Sequence, residues 1–114
     1  MKKPKRVPQA DAAVVEEKKV VGYLLNREHQ EGGSKAKFFL KRGFATETWA
    51  TFAKALQRHA QTQPVTHSEE TEFGTKFQVE CQLETPDAMN PCILSVWIIE
   101  DDLPPRLVTA HPNS

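Results

Sequence analysis

His29, Lys35 and Lys37 fall within nine residues of one another, around Gly32, Gly33 and Ser34, and that combination suits work on an anion. Imidazole exchanges protons near neutral pH. Glycines let backbone N–H groups approach a ligand closely, and the first turn of a helix adds unpaired N–H groups and partial positive charge. Lysines in that turn are electrostatically misplaced unless an anion compensates them. Gly32, Gly33, Ser34 and Lys37 are therefore candidate anion-binding residues. The plainer reading of the same stretch is a capped turn with solvated lysines.

The elements that must position this stretch follow from hydrophobic periodicity. Asp11 is a plausible N-cap for a first helix running to about Asn26, with Val14, Val20, Val21, Leu24 and Leu25 largely on one face and a start that shifts toward Glu16 if the cap fails. A second helix is expected from Ser34 or Lys35 to Arg42. Gly43 suits the left-handed position past its end, and Phe44 folds back toward Phe39. Thr46 is expected to cap a third helix whose Trp49, Phe52, Ala53, Leu56 and Ala60 keep helical spacing, with His59 at the border of that stripe as a packed spectator.

After Pro64 the period changes to two. Phe73, Thr75, Phe77, Val79, Cys81 and Leu83 alternate with polar residues, residues 65–71 form a weaker edge strand, Cys92–Ile99 reads as a central strand, and Arg106–His111 as a last one. The expectation is an α+β domain over residues 13–112, with N-terminal helices on one face of a three- to four-stranded antiparallel sheet. Residues 1–12, with Lys2, Lys3, Lys5 and Arg6, read as a disordered basic tail.

Composition bounds the rest. Residues 1–60 carry 13 Lys and Arg against 6 Asp and Glu, whereas residues 61–114 carry 2 against 9, so a neutral chain is split into a basic and an acidic half. A basic face of that kind meets phosphate. No apolar run is long enough to span a bilayer and no apolar stretch follows the basic N-terminus, so no membrane partner is expected and a cytoplasmic location is. Cys81 and Cys92 lack metal-ligand spacing and read as buried free thiols, and no metal or cofactor is expected.

Three pieces together, YLLN…H…GGSKAKFF…GF, FGTKFQVECQLETP and VWII…PRLVTAHP, resemble a small, largely uncharacterised bacterial domain family associated with toxin-like proteins. The chain departs from the family pattern at Gln30, where proline is usual, at Thr85-Pro86-Asp87 in place of a Gly-Pro turn, and at His111, where tyrosine is usual. The layout also resembles the barnase–EndoU–colicin–RelE ribonuclease group, a likeness of fold only. The resemblance implies a metal-independent ribonuclease-like toxin domain acting on RNA phosphodiesters, with RNA and a small immunity or antitoxin protein as partners. His29 is then the proton-transfer group, Lys35 the electrostatic stabiliser, Thr109 a phosphate-orienting hydroxyl and His111 a second histidine on the same strand face. The competing reading is a non-catalytic binding or regulatory module with a basic helical face.

Overall fold

The computed structural model describes residues 6–30 and 33–112. Its helices are a short first segment, α1 (Glu17–Lys19), that runs directly into a wide turn over Val20–Leu24, then α2 (Gly33–Lys41) and α3 (Trp49–Thr62). Four strands follow, β1 (Val65–Thr71), β2 (Gly74–Gln82), β3 (Cys92–Ile99) and β4 (Arg106–Pro112), in an antiparallel meander of order β1-β2-β3-β4. The α+β expectation therefore holds, with the helices preceding the sheet.

The long first helix does not form. Ala13–Glu16 is extended instead. Val14 N–H donates to the Pro105 carbonyl at 2.8 Å, and its own carbonyl accepts from Leu107 N–H at 3.0 Å. Two adjacent β-branched valines favour that pairing over a helix, and burial alternates from Ala13 (buried) to Val14 (exposed) to Val15 (buried). The ordered chain also begins earlier than residue 13. Val7 and Ala10 are buried in the core, and α3 pins this segment through Gln61 Nε2 to the Ala10 carbonyl at 3.3 Å and Gln57 Nε2 to the Ala13 carbonyl at 2.9 Å. The first five residues of the expected basic tail lie outside the described residues.

Helix α2 ends as its sequence predicts. Gly43, at φ 106°, donates to the Leu40 carbonyl at 3.0 Å, and Phe44 N–H reaches back to the Phe39 carbonyl at 3.3 Å. These two bonds define a Schellman end. Phe39 and Phe44 both pack on Phe52 of α3, at centroid distances of 4.8 and 4.4 Å, which fixes α2 against α3. Burying each such ring contributes roughly 1.5–3 kcal/mol. Thr46 starts a single tight turn over Thr46–Thr48 rather than α3 itself, and its hydroxyl binds the Glu47 carboxylate instead of a helix amide.

The core lies between the helices and one sheet face, where Val79, Ile93, Trp97, Leu107 and Ala110 are buried. His59 is part of it. Its Nε2 donates to the Cys81 carbonyl at 2.9 Å, and Nδ1 accepts from Ser95 Oγ at 2.8 Å, while Ser95 Oγ accepts from Trp97 Nε1 at 2.8 Å. Phe73, expected to begin the buried alternation, is 68% exposed in the β1–β2 turn. The thiols are free, but Cys81 is exposed and Cys92 half-buried. They stand opposite Ile93 and Gln82 in successive pairs, so they project to different faces of the sheet.

Strand β4 contains the irregularity that matters most. Thr109 pairs with Val96 but Leu107 pairs with Trp97, so Val108 is an extra residue. This bulge resets the alternation. Leu107 and Ala110, three apart, both enter the core, while Arg106, Thr109 and His111 share the opposite face.

Candidate functional site

Two segments far apart in sequence meet at the edge strand β4. The first is the wide turn Val20–Leu24, in which Leu25 N–H donates to the Val20 carbonyl at 2.8 Å, five residues back. Such turns recur at functional sites because they displace one side chain from ordinary helical spacing. Here the turn buries Val20 and Leu24 and leaves Tyr23 half-buried. Asn26 then braces the loop, donating to the Gly22 carbonyl at 3.2 Å and accepting from Glu28 N–H at 3.0 Å, while its own carbonyl accepts from His29 N–H at 3.2 Å. Gly33 opens α2 so close to this loop that a Cβ would lie 2.7 Å from the Arg27 carbonyl oxygen, which only glycine avoids.

These constraints bring four side chains together. The Lys35 ammonium donates to Tyr23 Oη at 2.7 Å and to Thr109 Oγ1 at 3.2 Å, and the two hydroxyls are themselves 3.1 Å apart. The His29 ring meets the Tyr23 ring edge-on at a centroid distance of 4.8 Å. Lys19 lies over the same ring, 5.6 Å from its centroid, and Lys35 at 5.1 Å. Burial alone would push the Tyr23 phenol up; hydrogen bonds from Lys35 and Thr109, and the charges of Lys35 and Lys19, outweigh it and hold the phenol below its ordinary range. A phenolate beside an ammonium is the favoured charge arrangement here.

His29, Lys35 and Thr109 therefore gather around one tyrosine. His111 lies two residues beyond Thr109 on the same strand face, its Nδ1 donating to the Pro112 carbonyl at 3.2 Å, so the lone pair of the neutral ring falls on Nε2. The expected anion cradle is placed differently. Gly32 lies outside the described residues, and Gly33 N–H donates to the His29 carbonyl at 2.9 Å, so this amide is engaged within the loop. Ser34 is exposed. Lys37, two residues past Lys35 and so turned well round the helix, lines a separate groove with Arg27, Leu40 and Lys41.

Tyr23 is the residue that sequence reasoning missed. Its signal was present, since it is the chain's one tyrosine and opens the motif that holds His29 and Lys35. Among the described residues, no group of three or more His, Cys, Asp or Glu side chains is close enough to hold a metal ion. No described helix is long and apolar enough to cross a membrane.

Comparison with known proteins places this geometry in context. The fold is similar to a chain of a contact-dependent growth inhibition toxin–immunity protein complex from Klebsiella pneumoniae 342, at a TM-score of 0.73 and 15% identity over 95% of this chain and 99% of that one. At that identity the likeness is one of fold. No curated protein matches in sequence. Residues 6–114 match the model of a domain of unknown function, DUF6883, and the chain belongs to that family.

Proposed function

We propose that this domain is a ribonuclease-like toxin module that cleaves RNA phosphodiesters without a metal ion. The observation that carries the reading is the Lys35 ammonium shared between Tyr23 Oη and Thr109 Oγ1, with the His29 ring against Tyr23. Together these groups cover the needs of an internal transesterification. The ribose 2′-oxygen bonds to phosphorus as the P–O5′ bond breaks, leaving a 2′,3′-cyclic phosphate and a 5′-hydroxyl. His29 takes the 2′-hydroxyl proton, and Tyr23, a stronger acid than an ordinary phenol, supplies a proton to the departing 5′-oxygen. Lys35 offsets the charge that builds on the phosphorane, and Thr109 donates to a non-bridging oxygen. His111 faces the same side as Thr109 and is a second imidazole for proton exchange.

The similar fold of a growth-inhibition toxin–immunity protein complex supports the toxin setting and a small immunity protein as partner, with action in the cytoplasm, where RNA is. The groove of Arg27, Lys37, Leu40 and Lys41 favours a second reading, a non-catalytic module, because it presents cations without an acid–base group.

Incubation of the purified protein with RNA, with and without EDTA, separates the two. Cleavage that survives EDTA, leaves cyclic phosphate ends and disappears in His29→Ala and Lys35→Ala supports the ribonuclease. Intact RNA with folded wild-type protein sinks it.

A further inference from the structure

A second groove adjoins the cluster and carries its own charge. Glu16, Lys18, Lys19, Tyr23 and Arg106 line an open cleft of about 560 Å³, within the roughly 300–1,000 Å³ range of ligand clefts. Three cations face one carboxylate there. We infer that this groove is the track for the neighbouring phosphate of an RNA strand whose scissile phosphate sits at Lys35 and Thr109; the inference rests on the ribonuclease reading and deepens it by naming the substrate as a polynucleotide.

Three observations carry it. The groove and the cluster share a wall, because Tyr23 lines the first while its hydroxyl belongs to the second. Lys19 and Lys35 both stand over the Tyr23 ring, so a strand crossing the phenol passes from one ammonium to the next. The Val108 bulge turns Arg106 to the same sheet face as Thr109, which extends the positive surface along β4 instead of into the core. Arg106 is paired with Glu100 at 3.0 Å, but both side chains are substantially solvated, and a phosphate exchanges readily into such a pair. The lining favours a polyanion over a protein partner: it holds one aromatic and no aliphatic anchor, whereas protein interfaces concentrate their energy in buried apolar or aromatic anchors. Phosphate contacts need only well-placed cations and donors.

The test is binding of an uncleavable 2′-O-methyl oligoribonucleotide, followed by fluorescence anisotropy across a salt series. Wild-type protein, a Lys18→Gln/Arg106→Gln double variant and Lys35→Ala are compared, with thermal melts to verify folding. Each lost phosphate contact reduces the slope of log K against log salt by about 0.7 for single strands, so the double variant should lose about 1.4 and bind roughly tenfold or more weakly at low salt. A double variant with the wild-type slope, alongside a weakened Lys35→Ala, overturns the groove and leaves the cluster's reading intact. Groove-dependent binding without any RNA cleavage removes the catalytic reading and retains the groove. Wild-type protein that ignores the oligonucleotide, or whose groove variants lose only an acidic protein partner, overturns the proposal.

Discussion

Tyr23 and Thr109 are 86 residues apart in the chain, and their hydroxyls stand 3.1 Å apart beneath one ammonium group. Lys35 is thus the hub of the pair, and its removal has a direct spectroscopic consequence. Tyr23 is the single tyrosine, so tyrosinate absorbance reports on it alone. Lys35→Met removes the largest lowering influence on the phenol, and its titration midpoint should move up; an unchanged midpoint would show that the ammonium does not engage Tyr23 in solution.

Thr109→Val keeps the side chain's shape and removes its hydroxyl. Tyr23 loses one of the bonds that lower its pKa, so its midpoint should again rise, by less than in Lys35→Met. If Thr109 orients the phosphate, RNA cleavage should fall by about 10²–10³-fold, the usual cost of one transition-state donor, with little change in thermal stability. A variant as active as wild type would remove Thr109 from the mechanism.

His59 predicts an acid limit to stability. Burial holds its imidazole below its ordinary value, against the raising effect of the Cys81 and Ile93 carbonyls. The unfolded chain therefore takes up a proton before the folded one does as pH falls. The stability held above an unfolded pKa of about 6.5 is lost as pH drops from there toward the folded value. Denaturant unfolding at neutral and mildly acidic pH should show this loss, and His59→Leu should abolish that part of the slope. Ser95→Ala should cost about 1–3 kcal/mol, because Trp97 Nε1 and His59 Nδ1 each lose a buried partner.

Gly43 supports a prediction about the end of α2. A Cβ there would adopt φ 106° and stand 2.8 Å from Pro86 Cβ. Pro86 is held in place because Asp87 N–H donates to the Arg42 carbonyl at 3.2 Å and its carboxylate faces Arg42 at 3.4 Å. Gly43→Ala should therefore destabilise the domain by about 1–3 kcal/mol, visible as a lower Tm with the site's chemistry otherwise intact. A melting curve matching wild type would contradict the strain argument.

The sheet and the end of α2 were legible because their signals are local. A period of two marks Cys92–Ile99, and a glycine followed by phenylalanine marks the Schellman end. Val14 was misread because its helical spacing was real, while the competing hydrogen bonds come from Pro105 and Leu107, far along the chain. Tyr23 was passed over for a related reason. Its place beside Lys35 depends on a turn with one extra residue, and nothing in a helical wheel announces that widening. Likewise, strict alternation along β4 puts Arg106 on the wrong face, because the Val108 bulge follows from pairing with Val96 and Trp97.

Every side chain in the cluster and its adjoining groove comes from residues 16–35 or from β4; the segment between contributes the frame. Ribosomes release a chain from its N-terminus onward, so Tyr23, His29 and Lys35 wait beside an incomplete sheet until β4 emerges and docks. A chain interrupted before Arg106 holds the lysine and the tyrosine but lacks the hydroxyl and the guanidinium that complete their surroundings. The host that synthesises this domain is thereby spared its chemistry until the last strand is in place.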